Sequence, residues 1–296
     1  MAGSETVHVA MVQSLTDVEA GAGNVERALA HLEKARGLGA DIVCFPETYP
    51  GPWTPPLTYD PLPALCSGAK RHNLYVIAGL IEPVAGHSDR YHVKEVLIGA
   101  DGKVAGEYRR TTPRGPWLYQ GSWFWDFCYQ EASALPVFET PWCKIGIAVC
   151  SEVYLPEVSR ILALRGAEII FLPAGVPKPE LWHTWRTLIF ARAIENLCFT
   201  ATCQNVFGSS DLGLTMICSP EEVLVESIRE GVFVANCDLA RLRLLRGAED
   251  TWDFPGVKHC KPGIFEHWYR PELHADLLAE VGREGRRPFV QGDDQP

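Results

Sequence analysis

Short apolar runs typical of buried strands alternate with amphipathic helical stretches along the chain. In the first half the runs are VHVAMVQ, DIVCF and YVIAGL, and helical periodicity extends from Asn24 to Leu38 and again just before Arg71. A hairpin follows, EVLIGADGKVAGEYRR, whose turn contains the Asp101-Gly102 pair that favours a tight reversal. This alternation is typical of α/β layering, in which helices cover the faces of a sheet.

The second half repeats this order of strands and helices. The runs CKIGIAV and EIIFLP flank a helix predicted from Leu155 to Arg165, and a longer helix is predicted from Leu181 to Glu195. The strand-like runs CFTATC, GLTMIC, EVLVES and GVFVANCDL come next. The repeat predicts two sheets packed together, with helices on both outer faces.

The domain organisation follows from the absence of a linker. No stretch rich in Pro, Gly or Ser separates the two halves, so we expect one domain over residues 1–281. Residues 282–296 are rich in Gly and charge and have little to bury, so they are predicted to form a flexible tail.

Charge and cysteine usage exclude several functional classes. The formal net charge of −10 argues against nucleic acid or a membrane surface as the partner. The ten cysteines are scattered through apolar runs without a C-x-x-C pair, which favours buried thiols in a reducing compartment over disulfides or a zinc site. No segment approaches the ~18 apolar residues of a spanning helix, and the N-terminus lacks a signal-peptide pattern. We expect a cytoplasmic protein without a bound metal.

Cys150 stands where a catalytic thiol would be useful. It follows the apolar strand KIGIAV and precedes a predicted helix, and ligands of α/β proteins bind at the carboxyl ends of strands. A thiol is little ionised at neutral pH, so a nucleophilic cysteine needs a nearby base. We expect Cys150 to be the accessible, low-pKa thiol of the chain. The alternative is a buried cysteine with a purely structural role.

Glu47 ends the apolar run DIVCFPE in the same way. A carboxylate desolvated at that place would have its pKa raised toward the range useful for taking a proton from a thiol. The alternative is an ordinary helix N-cap or turn acid.

Several segments together resemble the signature regions of the nitrilase superfamily of carbon–nitrogen hydrolases. They are FPE at Phe45–Glu47, YRR at Tyr108–Arg110, and the stretch GIAVCSEVYLPEVSRILALRGAEIIFLP that contains Cys150. ARAIENLCFTATCQNVFG and GLTMICSPEEVLVES are similar to later segments of that family, so the likeness runs from about Val7 to about Arg246. The resemblance implies an αββα sandwich, paired into an αββα-αββα homodimer, with no cofactor.

The resemblance also implies a Glu–Lys–Cys site, in which Glu47 activates Cys150 and the cysteine forms a covalent intermediate. The family's lysine follows the Tyr-Arg pair, but this chain has Arg110 there. A guanidinium can stabilise an oxyanion but cannot readily donate a proton. Lys103 and Lys144 are predicted to lie in a turn and at a strand start, away from the site.

Further site residues follow from the same comparison. A second carboxylate about twenty-five residues before the cysteine maps best onto Asp126, with Glu131 next. The backbone amide of Ser151 is the expected oxyanion donor. Glu195 is expected to brace the site or the fold through polar partners.

Aromatic residues flank these motifs. Trp53, Trp117 and Trp182 are candidates for the wall of a substrate pocket, or equally for core or dimer contacts.

The predicted function is hydrolysis of a non-peptide carbon–nitrogen bond in a small molecule, with an amide or carbamoyl compound favoured. Alternatives are a nitrilase that forms a thioimidate, and a silent or acyl-transferring member of the fold. The segment CSEVYLPE does not decide among these substrates.

Overall fold

A computed structural model describes residues 5–17, 21–112, 128–175, 179–208, 212–248, 257, 259–270 and 272. The proposed domain boundary at 281 and the tail predicted over 282–296 lie outside these residues. The strands are β1 (Thr6–Gln13), β2 (Leu15–Thr16), β3 (Ile42–Cys44), β4 (Tyr75–Pro83), β5 (Arg90–Ile98), β6 (Val104–Arg109), β7 (Cys128–Tyr129), β8 (Val137–Glu139), β9 (Lys144–Ile147), β10 (Ile169–Phe171), β11 (Phe199–Thr202), β12 (Val206–Phe207), β13 (Thr215–Cys218), β14 (Val223–Ser227) and β15 (Gly231–Asp238).

Five α-helices are seen in the described residues. They are α1 (Gly21–Gly37), α2 (Leu62–His72), α3 (Pro156–Leu164), α4 (Trp182–Asn196) and α5 (Leu239–Arg246). A 3₁₀ turn over Cys150–Tyr154 precedes α3, and Pro156 begins α3 because proline has no N–H to leave unpaired at a first helical position. No helix in the described part of the chain is long and apolar enough to cross a membrane.

The two main sheets share one pattern of strand directions. The first has the order β15-β1-β3-β4-β5-β6, with β7 beside β5, and the second has the order β14-β13-β11-β10-β9-β8. In each, a central run of parallel strands has antiparallel strands on both sides. The repeat predicted from the sequence is therefore confirmed as a repeat of sheet topology.

The apolar side chains form two clusters that define four layers. One cluster joins the first sheet to α1 and α2 on its outer side and includes inward residues of the second sheet, such as Ile145 and Phe171. The other joins the opposite face of the second sheet to α3 and α4, with Leu162 and Ile189 at its centre. The predicted αββα sandwich is confirmed.

The predicted helices agree with the structure to within a few residues. The helix predicted from Asn24 begins at Gly21, and the one predicted from Leu181 begins at Trp182. Helix α5 was not predicted, although the sequence carries a signal for it. Asp238 accepts a hydrogen bond from the Arg241 backbone N–H at 2.8 Å as an N-cap, and the leucines after it recur at helical spacing.

Candidate active site

The carboxyl ends of strands in both sheets bring Glu47, Arg110 and Cys150 together. Glu47 lies three residues beyond β3, Arg110 directly follows β6, and Cys150 lies three residues beyond β9. β6 runs in the same direction as β3 through the intervening antiparallel pairs, so both end at one edge of the first sheet. The second sheet packs against this edge with the end of β9, which explains why three distant segments converge.

Glu47 and Arg110 form a buried, charged pair beside the half-buried Cys150. Arg110 is 0% exposed and Glu47 is 1% exposed. Nη1 of Arg110 lies 3.7 Å from Oε1 of Glu47, which makes a buried ion pair. The Cys150 thiol donates a hydrogen bond to the Glu47 carboxylate. The geometry gives the thiol a base and places a fixed positive charge beside both.

Burial dominates the ionisation of this cluster. Burial raises the pKa of Glu47 to about 7, and the Arg110 charge and the Cys150 hydrogen bond only partly oppose it. Burial also raises the pKa of the Cys150 thiol to about 12, and the neighbouring Glu47 charge adds to the effect. The expectation of a low-pKa thiol is therefore wrong for the substrate-free protein, because desolvation outweighs the attraction of one guanidinium.

The backbone around the cluster is held in an uncommon conformation. Cys150 has a φ of 52° and Thr48, next to Glu47, has a φ of 59°, both in the left-handed region that non-glycine residues seldom adopt. The Cys150 N–H donates to the Pro173 carbonyl at 2.8 Å, and the Asn205 side-chain amide donates to the Glu47 carbonyl at 3.0 Å. These contacts fix both residues against the second sheet.

Gly175 was not identified from the sequence. It lies shortly beyond the end of β10, and its backbone N–H hydrogen bonds favour the charged forms of both Glu47 and Cys150 by lowering their pKa values. The signal that could have found it is its position in LPAG, directly after a buried strand.

Ser151 meets Arg110 through its side chain. Nη2 of Arg110 donates to the Ser151 Oγ at 2.5 Å, and the Arg110 guanidinium also lies over the Tyr129 ring at 5.5 Å from its centroid. These contacts orient the guanidinium toward the residue that follows the cysteine. The predicted role of the Ser151 backbone amide stays a prediction.

Glu152 is a second residue that sequence reasoning missed. It is 0% exposed, and its oxygens accept hydrogen bonds from Tyr108 Oη, Thr111 Oγ1 and the backbone N–H groups of Thr111, Thr112 and Val149. The carboxylate thereby joins the segment that carries Arg110 to the turn that carries Cys150. The Glu in CSE was visible in the sequence, but its partners are distant along the chain.

The lysines considered from sequence lie away from the cluster, as predicted. Lys103 is 83% exposed and pairs with Asp101, and Lys144 is 44% exposed and pairs with Glu139. Glu195 is partly exposed rather than buried, but it does brace the fold. It pairs with Arg192, whose Nε donates to the carbonyl of Val153 beyond the cysteine.

The remaining predicted site residues are only partly described. Trp53 is buried at 1% exposure in the core and packs edge-on against Tyr49, which lies two residues beyond Glu47. Trp182 is partly buried at the start of α4. Trp117 and Asp126 lie outside the described residues, and Glu131, the alternative to Asp126, is exposed.

Comparisons with known proteins find amidases that are similar to this chain. The chain is 31% identical over 191 residues to 2-oxoglutaramate amidase of Bacillus subtilis, covering 62% of this chain and 70% of the relative. It is 26% identical over 254 residues to N-carbamoylputrescine amidase of Solanum lycopersicum, covering 75% and 83%.

A solved structure shares the fold. It is a mutant of the amidase from Nesterenkonia sp. AN1 showing covalent addition of the acetamide moiety of fluoroacetamide at the active site cysteine. It matches with a TM-score of 0.67 at 19% identity, over 82% of this chain and 95% of that one. The family model for carbon–nitrogen hydrolases matches residues 8–247, which span both sheets and all three clustered residues. The chain therefore belongs to the carbon–nitrogen hydrolase family.

Proposed function

We propose that this chain hydrolyses a small amide or carbamoyl compound, with Cys150 as nucleophile and Glu47 as general base. The observation that carries the proposal is the hydrogen bond from the Cys150 thiol to Glu47, inside a buried cluster that also contains Arg110. The amide and carbamoyl substrates named for the two curated relatives favour this substrate class over nitriles.

The first step is proton transfer coupled to attack. Glu47 takes the thiol proton as the Cys150 sulfur forms a bond to the substrate carbonyl carbon, and the carbonyl oxygen becomes an oxyanion. Because the substrate-free thiol is held protonated, this transfer is expected to occur when substrate replaces water beside the cluster.

Arg110 supplies the charge that stabilises this intermediate. Its guanidinium is buried, pairs with Glu47 and is oriented by the Ser151 hydroxyl, which supports the proposal that it replaces the family's lysine. The Ser151 backbone N–H is the second proposed donor to the oxyanion. Arg110 remains charged throughout, so every proton that moves is carried by Glu47.

The leaving amine departs with the proton that Glu47 took from Cys150, and a thioester of Cys150 remains. Water then attacks the thioester carbonyl while Glu47 removes its proton, and collapse releases the acid and the thiol. Each proton gained by Glu47 is returned, so the enzyme ends in its starting state. We propose Asp126 as the second carboxylate that positions the thiol or this water.

Further parts of the proposal concern the pocket and the assembly. Trp53, Trp117 and Trp182 contribute to the substrate pocket; the indole N–H groups of Trp53 and Trp182 are buried without a hydrogen-bond partner among the described residues.

The chain forms a homodimer. It works in the cytoplasm, where the nine cysteines whose side chains the structure describes, all free, would stay reduced.

A turnover panel tests the proposal. Primary amides, N-carbamoyl compounds and nitriles are incubated with the protein, and released ammonia and acid are measured. We expect release from an amide or carbamoyl compound, and none from Cys150→Ser. Turnover of nitriles alone would favour a nitrilase, and turnover that persists in Cys150→Ser would refute the role of Cys150.

A further inference from the structure

A second carboxyl group, Glu95, is buried beside Glu47. It lies in the middle of β5 at 0% exposure, directly opposite Gly79 of β4 and Tyr108 of β6. Directly opposed residues in antiparallel strands share a face, and Tyr108 reaches from that face to Glu152 beside Cys150. Glu95 therefore points into the space between the two sheets.

The neighbouring charge on β5 lies on the opposite face. Lys94 pairs there with Glu82 at 2.8 Å and with Glu107 at 3.3 Å. Successive side chains of a strand alternate between faces, so Lys94 cannot balance a charge on Glu95. Residues on the inner face of a buried strand are usually apolar, because a buried carboxyl group needs hydrogen-bond partners. A glutamate at this position therefore suggests a functional role.

Gly79 allows Glu95 to meet the turn that carries the proposed base. A Cβ on Gly79 would lie 2.1 Å from the backbone nitrogen of Thr48 and 2.9 Å from Oε1 of Glu95. Thr48 directly follows Glu47, so the carboxyl of Glu95 and the Glu47–Thr48 turn flank the same empty position. Any larger residue at 79 would push them apart.

The groups that face Glu95 leave it without a cation. Among the described residues they are Glu47 beyond β3, Cys44 in β3, Cys203 beyond β11, the Thr48 backbone N–H and Tyr108. The Thr48 backbone N–H donates a hydrogen bond to the Glu95 carboxyl group, but neither oxygen of Glu95 nor Oε1 of Glu47 has a side-chain hydrogen-bond donor among the described residues. Burial, and then the Glu47 charge, raise the pKa of Glu95 well above its ordinary value. Arg110 and the Cys150 thiol favour the charged form of Glu47, whereas Glu95 faces another carboxyl group, so Glu95 is the group expected to hold a proton.

We propose that Glu95 is a positioning residue for the reaction: its protonated carboxyl group lies against the Glu47–Thr48 turn and stabilises the carboxylate of Glu47 by hydrogen-bond donation. A proton held by Glu95 provides a donor to buried oxygens that have no side-chain donor within the described part of the chain, and it avoids placing two like charges side by side. The inference rests on the proposed role of Glu47 as the base.

The test compares two variants through the pH profile of kcat/KM. The acid limb is the part of the profile over which kcat/KM falls as the pH is lowered. Glu95→Gln keeps a neutral donor, so the acid limb of this variant should lie within about half a pH unit of the acid limb of the parent protein. Glu95→Leu removes the donor, so its acid limb should move up by about one pH unit, with a ~10-fold loss of kcat/KM below the limb. Glu107→Gln, the same change on the outer face of β6, is the matched control and should leave the limb in place.

Other outcomes overturn the proposal. If Glu95 is ionised in the active protein, Glu95→Gln removes a negative charge and shifts the acid limb down by about one pH unit or more. If Glu95 is only structural, Glu95→Leu lowers the melting temperature but leaves the limb unmoved. Should Glu95→Leu fail to fold, Glu95→Gln still separates the neutral from the ionised state.

Infrared spectroscopy gives a readout that does not depend on activity. At pH 8 the protein should show the carbonyl band of a buried protonated carboxyl group, which Glu95→Gln loses and Glu47→Gln retains. Absence of that band in the parent, or its persistence in Glu95→Gln, would refute the assignment. If the substrate panel gives no turnover, the proposed function fails while this measurement still decides the protonation of Glu95.

Discussion

In the proposed mechanism, the Cys150 thiol keeps its proton until substrate binds, and Glu47 is the base that then takes it. Burial raises the pKa of both groups, the thiol to about 12 and the carboxyl to about 7. A carboxylate is therefore available as base near neutral pH, while the thiol is protected from ionisation. The expected consequence is a nucleophile that reacts with bound substrate faster than with alkylating reagents from solvent.

The pH dependence of turnover should report Glu47. Protonated Glu47 cannot take the thiol proton, and its pKa is raised, so kcat/KM should fall as pH drops through about 7. Glu47→Gln keeps the shape but loses the base and should lose ~10²–10⁴ in rate. Initial rates from pH 5 to 9, with a melting curve for each protein, check this. Unchanged turnover in a folded Glu47→Gln protein would exclude Glu47 from catalysis.

Arg110 should not tolerate even conservative replacement without a loss of rate. Its guanidinium reaches Glu47 at 3.7 Å and Ser151 at 2.5 Å, and a lysine has a different length and no planar fork. We expect Arg110→Ala to lose about 10²–10³ in kcat, as loss of an oxyanion donor does, and Arg110→Lys to lose less but measurably.

Steady-state kinetics on the best substrate of the panel compare these variants, with Arg109→Lys as the matched control. Arg109 pairs with Glu82 and Glu107 on the outer face of the first sheet, away from the cluster. If Arg110→Lys and Arg110→Ala both match the parent, Arg110 does not replace the family's lysine.

The residues of the site were predictable where they end strands. Glu47 and Cys150 each follow an uninterrupted apolar run, so their place at a sheet edge could be predicted from the sequence. Glu152, Gly175 and Glu95 could not be identified, because their importance depends on partners brought close only by the packing of two sheets. The desolvation that raises the Cys150 pKa has the same origin and was missed for the same reason.

At the scale of elements, the Glu152 carboxylate joins the end of β6 to the turn before α3. Its donors come from both segments, so it fixes the position of Arg110 relative to Cys150. Glu152→Ala leaves buried N–H and hydroxyl groups without an acceptor and should lower the free energy of unfolding by about 3 kcal/mol, with loss of turnover.

Denaturant unfolding of Glu152→Ala tests this role. Glu157→Ala, which changes an exposed glutamate in the first turn of α3, is the matched control. Equal unfolding free energies for the two variants would show that Glu152 does not join these elements.

Periodicity predicted the longer elements and missed the short ones. Most strands and helices of each half were recognised because their apolar patterns persist over several residues, although helix α5 was missed. Strands β2, β7 and β12 have two residues each and carry no period of their own. β7 pairs with β5 of the first sheet, and β2 and β12 pair with each other, so all three depend on contacts that only the assembled fold provides.

At the scale of the whole molecule, helix α3 presents apolar residues outward. Leu155, Ile161 and Leu164 are 41%, 37% and 49% exposed. Exposed apolar side chains grouped on one helix favour a protein contact, and we expect this face to contribute to the proposed homodimer. Sedimentation at micromolar concentration should give about twice the 32.8 kDa chain mass.

A substitution on this face of α3 tests whether the face forms the dimer interface. Leu164→Glu should shift the protein toward monomer, while Leu38→Glu, at a similarly exposed leucine beyond α1, should not. A monomer for the parent protein would refute the dimer without affecting the proposed chemistry of the site.

Mass spectrometry of Cys150 tests the central claim most directly. The protein is incubated with the best substrate of the panel, quenched in acid and digested, and the peptide that contains Cys150 is measured. The account predicts an acyl adduct on Cys150 and on none of the other cysteines, lost in Cys150→Ser and strongly reduced in Glu47→Gln. Turnover without any adduct on Cys150, or an adduct on another cysteine that turns over at the same rate, would contradict it.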